Sequence, residues 1–188
     1  MNRSTQHAPG EASHLALCDA MGVTLPPLRE LPGPLVPLPY RDLLVHDRDM
    51  TPTLEAFHRC KLTLKVLSKQ VEDDSLMRQV LLMSDRTSLP VAFGVIRIHL
   101  GSFDAASREL ILACRKPLGA ILASQRIEHF SRPTRFFAVQ PDATLRSLLP
   151  IDDGCETVYG RYNELFHDPQ RCLAQVIEIL APVTGEST

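Results

Sequence analysis

The sequence predicts a single α+β domain organised around an antiparallel sheet. Residues 61–69, 76–84 and 90–100 are apolar runs of strand length, the first with clear period-two alternation. The links between them are short. Antiparallel neighbours tolerate short links, whereas a parallel crossover needs a dozen residues or more, so these runs read as a meander. Stretches with helix start signals lie before and after them.

Composition narrows the function classes. At 188 residues the chain is long enough for one domain with a substantial core. An apolar fraction of 44 % and a charged fraction of 22 % are those of an ordinary soluble domain. The formal charge of −2 and the pI near 6.4 give no electrostatic reason to expect nucleic acid as a partner. No apolar run approaches the roughly 20 residues that span a bilayer, and residues 1–9 lack the apolar segment of a secretory signal. The expectation is a cytoplasmic protein with neither membrane nor nucleic-acid partners. Cys18, Cys60, Cys114, Cys155 and Cys172 form no C-x-x-C pair. They read as free thiols of a reducing compartment rather than as disulfides or a zinc site.

The first 40 residues read as a flexible tail followed by a proline-rich arm. Pro26, Pro27, Pro32, Pro34, Pro37 and Pro39 exclude a helix or a central strand there, and residues 14–21 suit a short helix before them. The main domain is expected over residues 41–182, with a short tail over 183–188. Residues 41–46 are helix formers. A second helix starts near Thr51, which suits the N-cap, with Pro52 in the first helical position and Met50 just before the cap.

In the first strand Leu62, Leu64 and Val66 face one way and Lys61, Thr63 and Lys65 the other. In the second, Arg78 shares a face with Leu76, Val80, Leu82 and Ser84. The opposite face is also largely apolar, so neither face sends Arg78 cleanly to water. A buried arginine is costly unless an anion meets it. Residues 104–114 and 116–123 read as helices, the second with Pro117 in its first turn and free amides at its entrance. Strands are expected around Pro133 and over residues 156–166. There Val158, Gly160, Tyr162, Glu164 and Phe166 share a face. Residues 169–180 read as a final helix, with Cys172, Leu173, Val176, Ile177 and Leu180 on its apolar side.

Chemistry-bearing motifs are sparse. The sequence contains no G-x-S-x-G, P-loop, G-x-G-x-x-G or H-E-x-x-H motif, and its histidines show no ligand spacing. What stands out is an inward arginine, Arg78, on one strand and an inward carboxylate, Glu164, on another. They either pair with each other or flank a cavity. In the second case Arg78 binds a carboxylate and Glu164 meets a hydroxyl or takes a proton.

Four local words occur in a familiar order: Asp49-Met50-Thr51 before a helix, Met77-Arg78-Gln79-Val80-Leu81-Leu82, Lys116-Pro117-Leu118-Gly119, and Asn163-Glu164-Leu165-Phe166. From Leu43 to Phe166 the chain resembles the chorismate lyases. The tract from Pro117 to Glu128 is similar to the mycobacterial and archaeal branch more than to the enterobacterial ubiquinone-pathway enzymes. The resemblance implies about six antiparallel strands with helices packed on one face. It also implies elimination of pyruvate from chorismate to leave 4-hydroxybenzoate or a related aromatic product, without metal or cofactor.

By the same resemblance Arg78 holds the ring carboxylate, helped by Leu118 and Gly119 at the helix entrance. Glu164 serves as the acid/base group and Met50 closes the pocket. A second cation for the enolpyruvyl carboxylate would be Arg126, Arg161 or Arg97. The alternative is a catalytically silent binding protein for aromatic carboxylates, since the same fold serves as the effector-binding domain of a class of bacterial transcription regulators.

Overall fold

The structure, a computed structural model, describes residues 14–183; the predicted tail over 1–12 and, except for its first residue, the one over 183–188 lie outside the described residues. Seven strands form one antiparallel sheet: β1 (Leu28–Leu31), β2 (Leu62–Glu72), β3 (Ser75–Ser84), β4 (Pro90–His99), β5 (Phe130–Val139), β6 (Val158–Asp168) and β7 (Arg171–Leu180). Their order across the sheet is β1-β5-β6-β7-β4-β3-β2. The six α-helices of the described residues are α1 (His14–Ala20), α2 (Tyr40–Leu44), α3 (Met50–His58), α4 (Ala105–Leu112), α5 (Leu118–Gln125) and α6 (Ala143–Leu148).

The meander from β2 to β4 follows the sequence pattern. β3 pairs with β2 on one side and β4 on the other, with Arg78 opposite Lys69 and Ile96. Two segments depart from expectation. Residues 171–180 form a strand, not a helix, and β7 lies at the centre of the sheet between β6 and β4. A central strand buried on both faces reads as an almost continuous apolar run, which a helix pattern also fits. Pro133 does not divide two strands but sits in β5, at the irregularity that shifts its register against β6.

The proline-rich segment is part of the sheet. β1 pairs with β5 as an edge strand, and Leu31 and Val36 are buried against α2 and α3. An edge position is where a proline-flanked strand can survive. The start of α3 also differs in detail. Asp49 is its N-cap and Met50 its first helical residue, so Thr51 and Pro52 lie inside the first turn.

The two sheet faces carry different cores. On one, α1 and α6 bring Leu17, Leu145 and Leu149 against Phe93, Val95, Phe137, Tyr162 and Ile177. On the other, α4 and α5 bury Ile111, Ile121 and Leu122 against Leu76, Ile96, Ile98 and Val176. Beside that layer α2 and α3 bury Leu44, Met50 and Leu54 near Ala92 and Leu180. The helices α2 to α5 thus share one face, and a cavity remains where the starts of α3 and α5 approach the sheet.

Candidate anion-binding site

The cavity floor is sheet. Leu64, Val80, Leu82, Ala92, Gly94, Ile96, Leu165 and Val176 make most of it apolar. Its roof is the entrance of α3, with Asp49, Met50 and Thr51, and the entrance of α5, with Pro117, Leu118 and Gly119. The space open to water centres is about 80 Å³, several times what one water needs. Its polar lining includes Arg78, Asn163 and Glu178.

Arg78 reaches the cavity because period-two alternation on β3 puts it on the same face as Val80 and Leu82. It is 1 % exposed, and its Nε and Nη1 have no hydrogen-bond partner. Burial pushes the guanidinium below its ordinary value, and the Cys114 sulfur offsets this only in part. A buried cation with unused donors is an unpaid desolvation cost unless an anion arrives.

The two helix entrances face the same space. Their first intrahelical bonds run from Thr53 N–H to the Asp49 carbonyl and from Ile121 N–H to the Pro117 carbonyl. The amides of Met50 and Thr51, and those of Leu118, Gly119 and Ala120, precede those bonds. Helix geometry leaves such groups without internal partners. Neither Asp49 nor Pro117 supplies a side-chain cap. The entrances pack closely: a Cβ at Gly119 would lie 3.3 Å from Thr51 Oγ1 and 3.9 Å from Asp49 Cβ. Two positive dipole ends and a guanidinium with two unpartnered nitrogens thus converge on one cavity, an arrangement suited to an anion.

Asp49 turns its carboxylate elsewhere. His129 Nε2 donates to both carboxylate oxygens, at 2.9 and 3.0 Å. His129 Nδ1 lies 2.9 Å from the Ile127 carbonyl oxygen, which can only accept. Both contacts are hydrogen bonds at once only when both ring nitrogens carry hydrogen, that is, in the imidazolium. Its hydrogen bond to Asp49 is the main reason its pKa stands above the ordinary histidine value.

Glu178 is the carboxylate of the cavity's sheet side, and Arg161 holds it. Arg161 is fully buried. Its Nε donates to Glu178 Oε2 at 2.7 Å, and Nη1 and Nη2 donate to the carbonyls of Leu44, His46 and Arg48. Each nitrogen of Arg161 thus has a protein partner, and Arg161 does not line the cavity.

The remaining sequence candidates divide. Met50, Leu118 and Gly119 line the cavity with Arg78. Glu164 does not: the alternation of β6 puts Asn163 and Leu165 on the cavity side and Glu164 on the other. There it accepts from Arg132 at 2.8 Å and from Gln175 at 3.4 Å. Arg78 and Glu164 therefore neither pair nor share a site. Arg126 is exposed at the C-terminal end of α5, and Arg97 points to the opposite face, donating to Met77 Sδ.

Glu178, Asp49 and His129 were missed. A strand reading of residues 171–180, prompted by Val176, Ile177 and Ile179, would have set Glu178 on a face with Val176 and Leu180. No local pattern in the sequence links Asp49 to His129.

No family model and no curated protein matches the chain. Among solved structures it is similar to PhnF from Mycobacterium smegmatis, with 13 % identity and a TM-score of 0.52 over 74 % of this chain and 69 % of that one. The fold is chorismate lyase-like. The effector domain of PhnF from the same organism gives 14 % identity and a TM-score of 0.48 over 71 % of this chain and 88 % of that one. The gene product SA0254 from Staphylococcus aureus gives 13 % and 0.48 over 65 % and 90 %. At these identities the likeness is one of fold. Among the described residues no helix is long and apolar enough to cross a membrane.

Proposed function

We propose that the chain is a binding module for a small aromatic monocarboxylate. The observation that carries this reading is Arg78: a fully buried guanidinium whose Nε and Nη1 are unpartnered, at a cavity that two uncapped helix entrances also face. The ligand carboxylate docks on Arg78 and the amides of Leu118 and Gly119. The ring lies on Val80, Leu82, Gly94 and Val176. At the other polar group, Glu178 accepts a hydrogen bond from a hydroxyl. Its Oε2 is engaged by Arg161, and Oε1 is left for the ligand. Likeness to PhnF, which has an effector domain, supports a binding role on this fold.

A single free cation among the cavity-lining residues is the reason to favour a monoanion over chorismate, which carries two carboxylates. Of the three arginines considered for the second carboxylate, none lines the cavity, and every nitrogen of Arg161 is engaged by protein. The second reading is chorismate pyruvate-lyase. It rests on the sequence resemblance and on Glu178, a cavity carboxylate available for the acid/base role that Glu164 is too remote to play.

The test is to incubate the protein with chorismate while following pyruvate, and separately to measure protection against heating by 4-hydroxybenzoate. Protection without pyruvate is the expected result. Pyruvate release that disappears in Glu178→Gln would establish the lyase instead. Neither effect would remove both readings.

A further inference from the structure

We propose that His129 is a positioning residue for the anion site: by holding the Asp49 carboxylate, it keeps a competing anion away from the entrances of α3 and α5. This rests on the reading that an organic anion docks at Arg78 and those entrances.

Asp49 occupies the N-cap of α3, where an aspartate normally accepts from the second or third amide of its own helix. Here it caps nothing. The third position is Pro52, which has no N–H, so the cap partner left to it is the Thr51 amide. That amide is one of the uncapped ones at the entrance of α3, beside the amides of α5 that take the ligand. Asp49 also stands against α5, with its Cβ 3.9 Å from a Cβ built at Gly119. Released from His129, the carboxylate would sit between the two entrances and compete with a ligand for the same donors, adding like-charge repulsion.

The grip depends on the proton. With Nδ1 and Nε2 both facing acceptors, the ring satisfies both only as a cation. The neutral ring has one hydrogen for two acceptors, so one of the two contacts loses its donor, and the charge attraction for the carboxylate is lost. Asp49, from the entrance of α3, is the charged group acting on the ring; the Ile127 carbonyl, from the segment after α5, is the other group facing it. Anion affinity is therefore high where His129 is charged and falls as it deprotonates.

The experiment is calorimetric titration of 4-hydroxybenzoate into the wild type, His129→Gln and Asp49→Asn, at about pH 5.5 and about pH 8, with the His129 ring followed by NMR in the ligand-free wild type and in Asp49→Asn. Across that range the probe stays a monoanion. The wild-type Kd should rise about tenfold between the two pH values. His129→Gln should bind weakly at both. Asp49→Asn should bind at pH 8 as tightly as the wild type does at pH 5.5, and its ring should titrate lower than in the wild type.

A wild-type affinity independent of pH, or a His129→Gln profile equal to the wild type's, overturns the proposal while leaving the anion site standing. So does a ring titration unmoved by Asp49→Asn. A wild type that binds no probe at either pH, with the ring titration raised as expected, places the failure in the anion-site reading, and the proposal falls with it.

Discussion

Arg161 Nε donates to Glu178 Oε2 at 2.7 Å, and the other nitrogens of the same guanidinium donate to three backbone carbonyls, one at the end of α2 and two in the loop from α2 to α3. Arg78, as deeply buried on the same cavity side of the sheet, has two nitrogens with no partner. The two arginines are alike in burial and opposite in satisfaction. One ties the sheet to the loop that leads into α3; the other is held ready for something outside the protein.

That contrast predicts opposite stability effects. Arg161→Met leaves Glu178 and three carbonyls without donors, and should destabilise by about 3–5 kcal/mol, the usual cost of breaking a buried pair from one side. Arg78→Met replaces an uncompensated buried cation by an apolar chain of similar length. In the ligand-free protein it should be neutral or stabilising by about 1 kcal/mol or more. Urea denaturation of both variants checks the pair of signs.

Glu164 and Glu178 should also separate. Glu164 pairs with Arg132, which is 54 % exposed at its side chain, so Glu164→Gln should change stability by less than about 1 kcal/mol and leave 4-hydroxybenzoate affinity unaltered. Glu178→Gln should weaken that affinity, most for ligands with a hydroxyl opposite the carboxylate. Comparing benzoate with 4-hydroxybenzoate on both variants measures this.

The cavity floor offers a steric check. A Cβ at Gly94 would lie 3.3 Å from Val80 Cγ2 and 3.6 Å from the Ile177 carbonyl. Gly94→Val puts methyl groups where the ring is expected. Affinity should fall by about tenfold or more, while the sheet register, read by amide chemical shifts, stays as it is.

Stability should also depend on pH through His129. Its folded pKa is raised, so its contribution is complete below the unfolded value of about 6.5 and is lost as pH rises through the folded one. His14, His46, His58 and His99 have lowered values, chiefly from burial, and work the other way: protonating them costs stability as pH falls. The difference between wild type and Asp49→Asn isolates the His129 part. That difference in melting temperature should shrink as pH rises from about 6 to 9.

How much of this was legible in the sequence depended on which faces are buried. Arg78 was legible because a charge in a short apolar run has few places to go. The grouping of Val158, Tyr162 and Glu164 on one face of β6 agrees with the structure. Alternation alone could not say which of two buried faces carries the cavity, and Glu164 lies on the other one. β7 was hidden because a strand covered on both faces has apolar residues at every spacing, including those of a helix. Misreading it concealed Glu178. The Asp49–His129 pair joins residues 80 apart in the chain, a contact that only the packing of α3 against α5 creates.

The most direct test of the central claim is calorimetric titration of 4-hydroxybenzoate into the wild type and Arg78→Met at a pH near 6. The account predicts saturable binding by the wild type and a loss of about 100-fold or more in the variant, because a desolvated carboxylate would lose its one cation. Equal affinity in the two proteins would contradict it, and would mean that the buried guanidinium does not receive the ligand.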